Sequence, residues 1–383
     1  MAKQRILYFD NIKILLGILV IIIHLGIIYG GEGGWYYKEV KRPDSINSAF
    51  FILLFVLNKS YGLGLFFMMS GLFTSISLKG KKTSQFTTDR LLRLGIPLLL
   101  FTFILAPLTR SLQTYFIYHQ RIDLVAIFKN SIVFFNGNAV GPLWFLELLL
   151  IFTFLFVGWN ALFPNKSPIV TNGSFYKGFP KTKSIISLIA ALSLVTFIVR
   201  IWFPFGWVFK PLSLELADTP QYIAYFIIGL YLPRTDWLKS IDKKTAKNWL
   251  IIIALLFTLA ILLMITASHL LRIDVRQFTG GLNLYSALFT IWEMTYSIGM
   301  NILVLYFFRI KLNKQGKISI FLSKNVYAAF VFHPFVITLM ALLLKDIHIY
   351  PILKYLLVAP FAIFASFGVG HLFRIIPGVN KIF

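Results

Sequence analysis

The chain of 383 residues contains no cysteine. That excludes disulfides, thiolate catalysis, an acyl-cysteine intermediate and a thiolate zinc site. Charge is scarce as well. Only 13% of the residues are charged, whereas a soluble domain carries about 25%. The shortage falls mostly on the acids, with 14 Asp and Glu against 37 Lys and Arg. Several chemistry-bearing patterns are also missing. There is no Gly-x-x-x-x-Gly-Lys-Ser/Thr loop, no His-Glu-x-x-His and no Gly-x-Ser-x-Gly elbow, which argues against a P-loop nucleotidase, a helical zinc protease and a serine hydrolase. Neither internal repeats nor the paired interrupted helices of a secondary transporter are visible, and no metal site is expected.

What the chain has instead is hydrocarbon. It is 58% hydrophobic and 17% aromatic, and its apolar residues come in blocks near the ~20 that span a bilayer. The composition predicts an all-α polytopic membrane protein in which one integral-membrane domain fills residues 1–383. Spans are expected at about 7–29, 49–77, 91–109, 142–163, 184–203, 217–233, 248–270, 284–308, 321–344 and 351–374. The sixth, around TPQYIAYFIIGLYL, is the shortest. With ten spans and both the N- and C-termini cytoplasmic, the inner loops gather most of the Lys and Arg and few acids, as the positive-inside rule requires. Deleting the sixth span would put RTDWLKSIDKKTAK outside and invert everything after it. The net charge of +23 therefore reflects topology, and no nucleic acid is expected as partner. The basic N-terminus leads into an apolar run too long for a signal peptide, with no small-residue cleavage signature after it. Two outer segments stand out: the Gly-rich, aromatic loop GGEGGWYYKEVKRPDSINS, and RIDLVAIFKNSIVFF, which looks like an interfacial amphipathic helix.

Three constellations could carry chemistry. In KILLGILVIIIH, Lys13 and His24 are eleven residues apart, about three turns and ~16 Å along a helix, so they share a face. Asp10 joins the same stripe and can pair with the ammonium. The structural alternative has Lys13 snorkelling to headgroups and His24 bonding a neighbouring helix, but ionisable groups inside a membrane commonly mark sites or pathways. In LFFMMSGLFTSISLKGKKTSQFTTDRLLRLGIP, Arg90 and Arg93 open the next span as an i, i+3 pair. Arginine forks at a helix start suit phosphate, although a basic inner loop alone explains Lys79, Lys81 and Lys82. Ser70, within the same stretch, is at most a packing or substrate-contacting hydroxyl. In SKNVYAAFVFHPFV, His333 lies deep in an apolar helix, and Pro334 removes a backbone donor that would hold the helix there. Glu293 and Glu147 are buried acids able to pair with an intramembrane cation, Glu147 being read as structural.

In order along the chain, RILYFDNIKILLGILVIIIHLGIIYGGEGGWYY, LFFMMSG with RLLRLGIP, PLWFLELLLIF, PQYIAYFIIGLY and LSKNVYAAFVFHP resemble the blocks of the bacterial integral-membrane acyltransferase family 3. That family includes sugar O-acetyltransferases and the succinyl-transfer protein of periplasmic glucans. The resemblance implies a multi-pass protein of the bacterial cell membrane. It implies acyl transfer, commonly of acetyl, from cytoplasmic acyl-CoA as donor substrate, with no permanently bound cofactor. The acceptor it implies is a carbohydrate or glycan hydroxyl at the outer face. The family's catalytic histidine falls on His24 and its paired arginines on Arg90 and Arg93, with Lys13 where the family has a first-span arginine. Asp10, Ser70, His333 and Glu293 are supporting or acceptor-side candidates. The Trp-Ser-Leu-x-x-Glu motif of some branches is not matched, because Glu147 stands three positions after Trp144, so Glu147 inherits no role. The competing class is a transporter of a sugar, a lipid-linked glycan or a proton-coupled solute, in which buried His, Lys and Glu would form a relay.

Overall fold

A computed structural model describes residues 6–79, 81–123, 125, 126, 129, 140–164, 178–210, 212–266 and 276–383. The described residues are 80% helical, and the only strands among them are two of two residues each. Helices α1 (Leu7–Ile28) and α2 (Ser45–Leu78) come first. Helix α3 (Thr83–Tyr118) contains two π-helical stretches, Leu91–Gly95 and Phe101–Leu105. Helices α4 (Trp144–Leu162) and α5 (Thr182–Trp202) follow. A small antiparallel hairpin of β1 (Val208–Phe209) and β2 (Leu214–Glu215) then leads into α6 (Thr219–Tyr231). The chain closes with α7 (Lys243–Ile265), α8 (Leu284–Lys311), α9 (Lys317–Leu343) and α10 (Pro351–Arg374).

Nine of these helices are long and apolar enough to cross a membrane. The exception is α6, whose 13 residues rise only about 20 Å. Short 3-10 turns extend it at both ends, Leu216–Asp218 and Leu232–Arg234. The expected sixth span is thus a short helix entered through a hairpin. The third span also differs from expectation: it begins at Thr83 and continues to Tyr118, beyond the expected 91–109. The expected amphipathic helix over RIDLVAIFKNSIVFF lies largely outside the described residues.

Helix directions bear on whether α6 carries the chain across. Gln221 Nε2 donates to the Ser60 carbonyl, and eight residues on, Gly229 meets Met68. Both pairs are offset by the same number of residues, so α6 runs parallel to α2. A Cβ on Gly229 would lie 2.0 Å from the Met68 carbonyl oxygen, and one on Gly71 2.2 Å from that of Phe226. Reciprocal glycines allow this close crossing, the usual small-residue device where lipid removes the hydrophobic drive between helices. Helix α8 is also parallel to α2, because Glu293 sits beside Ser60 while residues just past the end of α8 bond Tyr8 and Asn11 at the start of α1. The start of α1 in turn lies opposite the far end of α2 through Phe9 and Phe73. If each long helix crosses once, α2 and α8 can be parallel only when α6 crosses as well. On that condition the helix directions fit ten crossings, the number expected from the sequence.

The same directions place the candidate residues. Gly17 packs on Val326 and His24 on His333 at one constant offset, so α1 and α9 are parallel neighbours. Large apolar side chains such as Leu155, Leu255 and Phe364 point outward on the peripheral helices, as a lipid-facing rim must.

Candidate functional site

His24 occupies the last two turns of α1, partly exposed, and His333 is fully buried in α9. Their rings lie 5.1 Å apart between centroids, with His24 Nδ1 3.1 Å from His333 Nε2. The other ring nitrogen of His333 is 2.6 Å from the Phe330 carbonyl. The third member comes from the loop after α1. Trp35 stacks on His24 at 4.7 Å, and its indole N–H donates to Thr338 Oγ1 at 3.1 Å. His333, the candidate whose role was open, is therefore in contact with His24.

The loop that delivers Trp35 is held down by several bonds. Glu39 and Val40 donate their backbone N–H groups to the Ile28 carbonyl. Lys38 Nζ donates to the Gly31 carbonyl. Lys354 of α10, itself buried, bonds Glu39 at 2.7 Å and also the Leu344 and Ile347 carbonyls. Asp44 then caps α2 through the Asn47 N–H, and that bond holds its carboxyl below the usual value. Tyr36 packs edge-on against Trp35, and burial pushes its hydroxyl well above the ordinary phenol range, with Arg110 opposing.

At the opposite end of α1, Lys13 pairs with Asp10 at 3.2 Å, as the stripe predicted, and lies 4.2 Å over the Phe73 ring. Arg90 donates to Thr74, the next residue of α2, at 3.2 Å and stacks over Phe86. Lys13 and Arg90 thus converge on adjacent residues. Arg93 is exposed, and its carbonyl accepts the Tyr327 hydroxyl of α9. Neither arginine sits at a helix start, contrary to expectation, because α3 begins at Thr83 and Arg90 is its eighth residue. The helix-terminus argument for anion binding falls away, and the two guanidinium groups remain. From Tyr327 to His333 along α9 is six residues, about 9 Å. One pair of parallel helices therefore joins the basic end to the histidines.

A second polar cluster lies elsewhere. Arg200, fully buried, bonds Asp218 and Glu293 at 2.5 Å each, with further bonds to Thr290 and the Ala217 carbonyl. Lys59 bonds Asp218 at 2.9 Å and Glu215 at 3.0 Å. Tyr222 donates to Asp218, and Ser60 to Glu293. Glu293, a supporting candidate from the sequence, thus belongs to this network. Glu147 accepts from the Ser213 N–H and ties α4 to the hairpin, the structural role expected of it. Ser70 is half-buried beside the Gly71 crossing.

Sequence reasoning missed Trp35 as a partner of His24 and the network as a unit. The available signals were the unusual composition of the loop and the basic residues Lys59 and Arg200 inside spans. No curated protein and no solved structure is similar enough to count as a match. A family model described as an acyltransferase domain covers residues 6–371. That match takes in nearly the whole chain, and nine of its described helices are long and apolar enough to cross a membrane, so the chain belongs to acyltransferase family 3 and is a multi-pass membrane acyltransferase.

Proposed function

We propose that this protein moves an acyl group, acetyl foremost, from cytoplasmic acyl-CoA to a hydroxyl of a carbohydrate or glycan at the outer face, with His24 as general base. The observation that carries the proposal is the polar seam of α1 and α9, basic at one end and holding two histidines at the other. The acyltransferase family supplies the reaction type. The loop charges supply the orientation, because the face where the chain begins and ends is the Lys- and Arg-rich one, hence cytoplasmic. Arg90, Arg93 and Lys13 would hold the phosphates of the donor there, Arg90 and Arg93 as forks and Lys13 as a point charge. The thin thioester arm would run along the seam toward His24. There the imidazole takes the proton of the acceptor hydroxyl as its oxygen attacks the thioester carbonyl. The carbon–sulfur bond breaks, and the proton passes to the leaving thiolate.

The test uses membranes carrying the protein, radiolabelled acetyl-CoA and extracted surface glycans. His24→Ala should lose about 10²- to 10⁴-fold of transfer while inserting normally, because the change removes a polar group from a span. Transfer at the wild-type rate by His24→Ala would refute the assignment. Label trapped on wild-type protein, but not on that variant, would show an acyl-histidine route in place of direct attack.

A further inference from the structure

The Pro334 position explains a bond that a regular helix would not make. Helix α9 runs unbroken from Lys317 to Leu343 through Pro334. In a regular α-helix the N–H of residue 334 would bond the carbonyl of Phe330, and proline has no N–H. That carbonyl is the one His333 Nδ1 reaches at 2.6 Å. A carbonyl oxygen only accepts, so Nδ1 of His333 carries the hydrogen. In a neutral imidazole Nε2 is then a lone pair. It faces His24 Nδ1 at 3.1 Å, and two lone pairs cannot bond each other, so His24 Nδ1 carries a hydrogen as well. The one remaining lone pair of a neutral His24 is on Nε2.

We infer that Pro334, the Phe330 carbonyl and His333 form a relay that fixes the tautomer of His24 and makes Nε2 its basic nitrogen. His333 is a positioning residue here and touches no substrate. The relay also serves the charged state. When Nε2 of His24 takes the acceptor's proton, its Nδ1–H bond to His333 becomes charge-assisted and strengthens. A neutral acceptor does this without placing a carboxylate in the span, where a permanent charge is expensive. Trp35 also stacks on the His24 ring, anchored on Thr338, one turn beyond Pro334 in α9.

The inference rests on the reading of His24 as base, so its test has one arm that needs no activity. Nitrogen-15 spectra of histidine-labelled protein in bilayers, with His24 assigned by difference from His24→Ala, should show wild-type His24 protonated at Nδ1. His333→Phe keeps a ring of similar shape but offers no acceptor, and should populate both tautomers. In the kinetic arm His333→Phe should lose kcat by about 10- to 10³-fold, less than the ~10⁴-fold seen when a catalytic histidine is held in the wrong tautomer, with KM for acetyl-CoA unchanged. His333→Gln offers an oxygen to His24 Nδ1–H and should recover part of that loss. Pro334→Ala restores a competing donor to the Phe330 carbonyl and should fall between wild type and His333→Phe. A wild-type His24 protonated at Nε2, or a His333→Phe protein with unchanged kcat where His24→Ala is inactive, would overturn the relay. If the spectra agree but His24→Ala still transfers acetyl, the relay stands and the base assignment fails.

Discussion

The histidine pair and the Arg200 network are both polar clusters sunk among apolar helices, and they are built to opposite rules. The network gathers two cations and three carboxylates from α2, α5, α8, the hairpin and the 3-10 turn before α6, and pairs each with another. Burying such charges singly would cost several kcal/mol each, and their mutual attraction offsets that only while every partner stays in place. In the relay inferred above the histidine pair is neutral and makes few bonds, and its chain of donors runs one way, toward the Phe330 carbonyl. A closed network fixes structure; an open chain leaves a basic nitrogen at its end. The network also sits where it is needed, pinning the entry to α6, the helix too short to anchor itself by hydrophobic length alone.

This contrast can be broken by mutation. Arg200→Ala should destabilise the protein by about 3–5 kcal/mol, because it strands Asp218 and Glu293 in the interior. Thermal unfolding in detergent checks this, and the fraction that remains folded should transfer acetyl normally. Arg200→Met combined with Glu293→Gln leaves Lys59 with its two carboxylates and should regain much of the loss. His24→Ala should do the reverse, abolishing transfer without moving the melting temperature. If Arg200→Ala instead melts normally and is inactive, the network belongs to the chemistry and the comparison collapses.

At the basic end, Arg90→Ala and Arg93→Ala should each weaken use of acyl-CoA by about 1.5–3 kcal/mol, the scale of charged hydrogen bonds. Lysine at either position should recover only part, since a point charge lacks the fork. Unchanged dependence of transfer on acetyl-CoA concentration in both alanine variants would reduce the pair to topological markers. A smaller effect belongs to Trp35→Phe. It keeps an aromatic face on His24 but loses the bond to Thr338, so kcat should fall by the equivalent of about 1 kcal/mol, a few-fold, while Trp35→Ala should lose more. Equal rates for the two variants would show that the bond to Thr338 contributes nothing.

The smallest perturbation tests the frame on which both clusters hang. Lys239 is exposed in the segment between α6 and α7, and the chain has no background thiols. Lys239→Cys should therefore resist an impermeant thiol reagent in intact cells and react only after permeabilisation. Labelling in intact cells would mean that the segment is external and that α6 does not bring the chain back to the cytoplasmic side.

The long apolar runs determined by themselves that this chain is a bundle of membrane helices, because ~20 hydrophobic residues in water-free surroundings have few options but to close their own hydrogen bonds. The lone charges within those runs marked Lys13, His24, Arg90, Arg93 and His333, since ionisable groups in hydrocarbon need a reason to be there. The basic loops even argued for the sixth span. Partnership was the part not written locally. That His24 meets His333 follows from two helices 309 residues apart running parallel, and that Arg200 meets both Asp218 and Glu293 depends on a hairpin and a glycine crossing. Helix start points misled too, placing Arg90 at a terminus when Thr83 begins the helix, because nothing in KKTSQFTTDR separates loop from first turns by hydrophobicity. Pro334 was legible as a missing donor, but only the tertiary structure decided that His333 would turn back to take the vacant carbonyl and present its other nitrogen to His24. Hydrophobicity sets the position of each helix against the bilayer, and packing chooses its neighbours.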